Sequence, residues 1–150
     1  MISAPCFCVI FSQTTGMNSI NGISIWSDGG VTRSKADYNF VSKTHANWVS
    51  LQPFGAIHAK HSGIQFDLDY GWECSDFKSL ERNINYLHEL GYKVFLKPHL
   101  TLLYDTEPGI WEGNLGLQTN EEWERFEKDF FRYITQLAAI AKKHLSLIHI

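Results

Sequence analysis

The stretch "VFLKPHLTLLYDTEPGIWEG", residues 94–113, decides the fold predicted for the whole chain. It begins as a strand with apolar residues on both faces, which is typical of a parallel strand covered on both sides. Lys97 and His99 follow where that strand ends, and a long loop with Trp111 comes next. Side chains alternate along a strand, so Phe95, Lys97 and His99 are expected on one face. The stretch therefore predicts polar side chains at the C-terminal end of a parallel strand.

Two further strands are predicted before this stretch. "ISIWS", residues 23–27, alternates β-forming residues, and "ANWVSLQPF", residues 46–54, contains the next apolar run. Between them, residues 34–44 have the spacing of a short helix that presents Ala36, Phe40 and Val41. The order of strand, helix and strand predicts a parallel pair joined by a crossover.

Two longer helices and a last strand complete the pattern. The first helix begins near Asp76 and ends at Gly91, a residue that readily adopts the left-handed conformation of a helix C-terminus. The second opens on Thr119 and Glu122, which have the spacing of a capping box. Its apolar stripe, predicted to pack against a sheet, consists of Trp123, Phe126, Phe130, Ile134, Leu137 and Ala141. "LSLIHI", residues 145–150, has strand-like composition and predicts a fourth strand.

This alternation of strands and helices indicates an α/β fold with a parallel sheet. No glycine-rich phosphate loop follows any predicted strand, which disfavours a doubly wound nucleotide-binding sheet. The long segments instead follow the second and third strands, at the strand ends where a (β/α)₈ barrel builds its active site. A complete barrel needs about 250 residues. The 150 residues of this chain therefore predict a partial (β/α)₈ TIM barrel, about the first three and a half βα units.

Composition excludes several classes of partner. The net charge of −3 and the scattered lysines and arginines give no positive field for nucleic acid. No uncharged apolar run is long enough for a membrane span. Cys6, Cys8 and Cys74 lack zinc-ligand spacing, and the histidine pair of "HAKH", residues 58–61, lies in a predicted loop without acidic partners. We expect no disulfide, no metal site and no cofactor, whereas the oligomeric state is not fixed by the sequence.

The chain is expected to divide near residue 20. Residues 1–19 contain a short apolar run, Cys6 to Phe11, without a basic segment before it, so the pattern of a secretory signal is half met. A remnant of an export signal, in a secreted or periplasmic protein, and a simple N-terminal tail are both open interpretations. Residues 20–150 are expected to form the truncated barrel.

Five side chains near the predicted strand ends are candidates for ligand binding: Trp26, Gln52, Lys97, His99 and Trp111. Cationic, amide and imidazole groups bond hydroxyl groups, and exposed tryptophans stack on sugar rings. Structural roles are also open: Lys97 could pair with a buried carboxylate, His99 could bond a loop carbonyl, and Trp111 could anchor its loop. Among the loop carboxylates no pair shows the arrangement that hydrolyses glycosides, and Glu112 is the best local candidate.

Five segments of the chain resemble glycoside hydrolase family 113: "NGISIW", "ANWVSLQPFG", "GYKVFLKPHLTLL", "GIWEGNL" and "EEWERFEKDFFRYITQLAAIAKK". They follow the order and separations of the first half of that family's catalytic barrel, over residues 21–143. The resemblance implies a retaining β-mannanase-like enzyme whose acid/base and nucleophile glutamates follow the fourth and seventh strands. Both would lie beyond residue 150, so no catalytic residue is expected here. It also implies that Lys97, His99 and Trp111 contact sugar, with Trp26 and Gln52 as further positions.

The chain departs from the family pattern at its last six residues. "LSLIHI" stands where the fourth strand would lead into the acid/base loop, and a transposon mosaic-end sequencing adapter encodes the same six residues in frame. Residues 145–150 are therefore expected to be adapter-derived and the reading frame a truncated metagenomic fragment, with a native strand as the alternative. The predicted function is a fragment of a retaining glycoside hydrolase acting on a β-linked polysaccharide such as β-1,4-mannan. A non-catalytic carbohydrate-binding or scaffold protein is the alternative.

Overall fold

The computed structural model describes residues 19–26, 32–57, 63–69, 71, 74–102, 116–144 and 146–148, together with the backbone of residues 8–10. The strands are β1 Cys8–Ile10, β2 Gly22–Ile25, β3 Trp48–Leu51, β4 Phe54–Ile57, β5 Ile64–Gln65, β6 Lys93–Leu96, β7 His99–Leu102 and β8 Leu147–Ile148. The helices are a 3₁₀ helix, Lys35–Thr44, and the α-helices α1, Phe77–Glu89, and α2, Asn120–Lys143.

The main sheet contains the four predicted strands in parallel. Its order is β1-β2-β3-β6-β8, and β2, β3, β6 and β8 run parallel to one another. Each parallel crossover contains one helix, as the alternating sequence pattern predicted. To this sheet the structure adds one strand that the sequence did not predict: β1 pairs antiparallel with β2. Strand β1 therefore lies at the edge of the main sheet.

The outer face of this sheet is the face that packs against the helices. Val49, Leu51, Val94 and Leu96 are buried there, because alternate residues of each strand point to this side. Helix α1 contributes Leu80, Ile84 and Leu87 to the same core, and helix α2 contributes Tyr133, Leu137, Ile140 and Ala141. The predicted alternation of Val94 and Leu96 against Phe95 is confirmed.

The segment between β2 and β3 differs in detail from its prediction. It forms a 3₁₀ helix that buries Tyr38 and Val41 while Ala36 is exposed. An α-helix would put Ala36 on the face of Phe40, four residues later, whereas a 3₁₀ repeat of three residues per turn rotates Ala36 away from that face. Asp37 forms a capping box with Ser34, and His45 ends the helix in the left-handed conformation, with φ of 56°.

The two α-helices begin where the sequence predicts. The side chain of Asp76 caps α1 by accepting a hydrogen bond from the Ser79 N–H at 2.8 Å, and Gly91, with φ of 86°, follows its last turn. Thr119 and Glu122 form the predicted capping box of α2. The predicted stripe of α2 is correct for Leu137 and Ala141, which are buried, and for Phe126, Phe130 and Ile134, which pack partly buried against the core. Trp123 is 47% exposed. Tyr133, which was not predicted, is fully buried instead.

A second, smaller sheet extends strands β3 and β6. Its order is β5-β4-β7, with β4 and β7 parallel and β5 antiparallel to β4. Leu51 pairs with Leu96 before the break and Phe54 pairs with His99 after it, so the two sheets keep one register. Pro53 explains the break: the N–H of Lys97 donates to Leu51 O and that of His99 donates to Pro53 O. The rung between these two would need an N–H on Pro53, which proline lacks.

Candidate carbohydrate site at the strand ends

Four of the five predicted site residues lie among the described residues, at one edge of the main sheet. Trp26 directly follows β2, Gln52 follows β3, Lys97 follows β6, and His99 begins β7. The C-terminal ends of parallel strands meet at the same edge, which is where open and closed α/β sheets bind ligands. Trp111, and the loop that holds Glu112, lie outside the described residues.

Trp26 and His99 come together in an aromatic cluster with Phe54. The ring centroids are 5.6 Å apart for Trp26 and His99, 5.7 Å for Trp26 and Phe54, and 5.3 Å for Phe54 and His99. All three contacts are edge-to-face, a geometry that aromatic rings favour. Phe54 is buried, His99 is half-buried and Trp26 is 44% exposed. The cluster therefore fixes one side of the indole and leaves much of it accessible to a ligand.

Gln52 lies in a buried polar row beside this cluster. Its Nε2 donates a hydrogen bond to Ser24 Oγ at 2.9 Å, and both residues are buried. Within the described part of the chain, Gln52 Oε1 and the nearby Ser50 Oγ are buried without a hydrogen-bond partner. Buried acceptors are nearly always satisfied by protein, water or ligand. A hydroxyl group that reached Gln52 Oε1 would satisfy this acceptor.

Lys97 is exposed at the C-terminal end of β6. Its backbone N–H donates to Leu51 O at 2.9 Å, which keeps β6 in register with β3, while its side chain is exposed. Among the described residues no carboxylate pairs with its ammonium group. Lys97 pairing with a buried carboxylate, the structural alternative, therefore has no support among those residues. The exposed ammonium group can instead donate to hydroxyl or carboxylate oxygens of a ligand.

Sequence reasoning missed two residues that support the site, Phe54 and Tyr133. Phe54 shares its strand face with Gln52, so the alternation that selected the glutamine could also have found it. Tyr133 is fully buried, and its single hydroxyl proton is shared in a bifurcated hydrogen bond between Pro53 O, at 2.7 Å, and His99 O, at 3.3 Å. Burial raises the pKa of the Tyr133 phenol, so the group keeps the proton that it donates. The sequence signal for the burial of Tyr133 was its position three residues after Phe130, at helical spacing.

The inner face of the main sheet, opposite the helices, leads away from this edge. The inner face consists of the residues that the strand registers bring to the side away from the helices: Gly22, Ser24, Trp48, Ser50, Phe95 and Leu147. A cavity of about 210 Å³ on this face is lined almost wholly by apolar groups, with Ser50 as its polar residue. Lys93 Nζ lies 5.4 Å from the Trp48 ring centroid, at the strand beginnings. The inner face is thus apolar, whereas its C-terminal edge is polar and aromatic.

Carboxylates in the described loops have structural partners. Asp67 Oδ1 accepts a hydrogen bond from the Phe77 N–H at 2.7 Å, and Asp69 Oδ1 accepts one from the Gly71 N–H at 2.9 Å. Both carboxylates therefore serve the turns before α1. No group of three histidine, cysteine or acidic side chains suited to a metal ion occurs in the ranges that the structure describes. Helices long and apolar enough to cross a membrane are likewise absent from those ranges.

Neither family models nor curated proteins gave a match to this chain. Solved structures gave matches to this chain. The chain is similar to the GH113 β-mannanase AaManA from Alicyclobacillus acidocaldarius, in complex with ManMIm, with a TM-score of 0.63 and 22% identity over 75% of this chain and 36% of that one. It is also similar to the complex structure of a GH113 β-1,4-mannanase, with a TM-score of 0.61 and 20% identity over 81% of this chain and 40% of that one. A further GH113 β-1,4-mannanase structure gives a TM-score of 0.58.

These likenesses concern the fold. The chain spans 36% to 40% of the length of the mannanase structures that it matches. Its parallel strands, with a helix in each crossover and the candidate site at their C-terminal ends, agree with a part of a TIM barrel. The predicted α/β fold is therefore confirmed: the chain is a partial (β/α)₈ barrel that is similar in structure to GH113 β-mannanases.

Proposed function

We propose that this chain is part of a retaining glycoside hydrolase acting on a β-linked polysaccharide such as β-1,4-mannan, and that its C-terminal strand edge forms part of the sugar-binding groove. One observation carries the proposal. Trp26 and His99 meet at 5.6 Å on the edge where TIM barrels bind substrates, in a fold similar to GH113 β-mannanases. The sequence resemblance implies the same edge through Lys97 and His99.

The chemistry of the edge suits a sugar. A pyranose ring has an apolar C–H face and a rim of hydroxyl groups, so it needs an aromatic plane beside polar partners. Trp26 supplies the plane, His99 and Lys97 supply polar groups, and Gln52 supplies a buried acceptor without a protein partner among the described residues. Trp111 is proposed to contact sugar on the basis of the sequence resemblance alone.

Two exposed tryptophans offer a matched test. Trp26 is 44% exposed at the strand edge, and Trp123 is 47% exposed on α2, where Phe126 is its ring neighbour at 6.1 Å. Isothermal titration with β-1,4-mannopentaose should show binding to the 150-residue chain. Trp26→Ala should weaken this binding about tenfold or more, since about 1.5 kcal/mol of apolar burial is lost. Trp123→Ala should leave it unchanged. Equal effects of the two substitutions, or no binding by the unchanged chain, would overturn the proposal.

The proposal also concerns catalysis. A retaining mechanism needs two carboxyl groups about 5 Å apart, and the resemblance expects both glutamates beyond residue 150. The purified chain should therefore release no reducing sugar from β-mannan. Reproducible hydrolysis by this chain would contradict that expectation. Glutamates after the fourth and seventh strands of a longer reading frame would favour an enzyme over the non-catalytic alternative.

A further inference from the structure

The candidate site is divided by the break between the two sheets. Gln52 and Lys97 belong to the main-sheet side of the break, whereas Phe54 and His99 belong to the smaller sheet. Pro53 removes one rung of the ladder at this point, so fewer backbone hydrogen bonds hold the two parts in register. The relative placement of the polar and aromatic parts of the site therefore depends on other contacts.

Tyr133 of α2 supplies such contacts at the break. Its hydroxyl lies 2.7 Å from Pro53 O and 3.3 Å from His99 O, so one donor joins the two strand backbones where the rung is missing. Pro53 O also accepts the His99 N–H at 2.9 Å. The Tyr133 hydroxyl thus reinforces the contact between Pro53 and His99 that fixes the start of β7. A residue of the outer helix layer reaches through the core to the backbone that presents His99.

The aromatic ring of Tyr133 is held separately from its hydroxyl group. Its centroid lies 5.3 Å from that of Phe66, and the residue is fully buried. A Cβ added at Gly55 would lie 3.4 Å from Tyr133 Cε1, so the glycine permits close approach of the ring to β4. These contacts do not involve the oxygen. Tyr133→Phe therefore removes the donor and keeps the packing.

We propose that Tyr133 is a positioning residue of the candidate site: its O–H group ties the Pro53 and His99 carbonyls together and so holds the His99 imidazole against Trp26 and Phe54. The role of this arrangement in sugar binding rests on the proposed function. The positioning itself does not, because it concerns ring contacts within this chain.

The test compares Tyr133→Phe with Thr119→Ala in the full 150-residue chain. Thr119 Oγ1 accepts the Glu122 N–H at the start of α2, so its removal weakens the same helix without touching the Tyr133 hydroxyl. Each change should lower the midpoint of urea unfolding by a similar amount. NMR cross-relaxation between the Trp26 and His99 rings should weaken in Tyr133→Phe and persist in Thr119→Ala. Binding of β-1,4-mannopentaose should weaken about fivefold to tenfold in Tyr133→Phe alone.

The two readouts separate the two proposals. Unchanged contacts between the Trp26 and His99 rings in Tyr133→Phe would overturn the positioning role, whatever happens to sugar binding. Equal loss of those contacts in Thr119→Ala would also overturn it, because any weakening of α2 would then suffice. A chain that binds no mannopentaose but shows the specific loss of ring contacts would retain the positioning role and overturn the proposed function.

Discussion

The two faces of the main sheet use the same strands for different purposes. On the outer face, Val49, Leu51, Val94 and Leu96 are almost fully buried under the helices. On the inner face, Leu147 is 52% exposed, and an apolar cavity lies beside Trp48 and Phe95. Alternation along each strand assigns neighbouring residues to opposite faces. The outer face therefore supplies most of the packing energy, while the inner face and its C-terminal edge present side chains for contact.

The largest expected effect comes from an outer-face truncation. Leu96→Ala removes a fully buried side chain of β6 and should lower the free energy of unfolding by about 2–5 kcal/mol, because a cavity remains in the core. Phe95→Ala, on the adjacent inner-face residue, should cost less despite its larger side chain, since Phe95 is only partly buried. Urea denaturation followed by circular dichroism measures both. A greater loss for Phe95→Ala would reverse the assignment of the two faces.

Two glycine substitutions should change the stability of the chain by smaller amounts. A Cβ at Gly55 would lie 2.9 Å from Leu100 Cδ2 and 3.0 Å from Ile64 Cγ2, whereas one at Gly22 would approach nothing closer than 3.8 Å. Gly55→Ala should therefore destabilise the chain by about 1–3 kcal/mol through overpacking. Gly22→Ala, on the inner face, should be neutral or stabilise by about 0.5 kcal/mol through the unfolded state. Thermal unfolding of the two variants checks this, and similar shifts in both would contradict it.

The smallest expected effect concerns acid at the start of α1, on the outer layer. Burial disfavours the charged form of Asp76, but hydrogen bonds from Ser79 and the charge of Arg82 outweigh it and lower the pKa of this carboxyl below 3.8. A lowered folded pKa stabilises the protein above the unfolded value, and this contribution is lost as pH falls through the folded pKa. Asp76→Asn keeps a capping oxygen but does not titrate. Its urea midpoint should therefore fall less between pH 6 and pH 2 than that of the unchanged chain.

The sequence predicted those features that depend on local chemistry. Capping residues such as Thr119 and the left-handed position of Gly91 predicted the helix ends, because these depend on neighbouring backbone groups. The parallel order of β2, β3, β6 and β8 followed from the alternation of elements. Antiparallel β1 was not predicted, since pairing at a sheet edge depends on contacts distant in sequence.

The sequence predicted some residues of the candidate site and not others. The predicted strand ends and the family resemblance selected Trp26, Gln52, Lys97 and His99, and the structure brings Trp26 and His99 into ring contact. Phe54 lies on the face that alternation assigns to Gln52, whereas the role of Tyr133 arises from packing at the break at Pro53. No local pattern shows that a phenol of α2 will bond the carbonyls of two strands. The part of the site that depends on tertiary packing therefore required the structure.

Chemical-shift mapping with β-1,4-mannopentaose shows directly whether the C-terminal strand edge binds carbohydrate. In ¹⁵N- and ¹³C-labelled chain, the account predicts that the indole of Trp26 and the ring of His99 shift on titration, while Lys93 and Trp48 at the opposite end of the strands do not. Shifts centred on Lys93 and Trp48, or no shift at Trp26 and His99 at saturating sugar, would contradict the claim that the C-terminal strand edge binds carbohydrate.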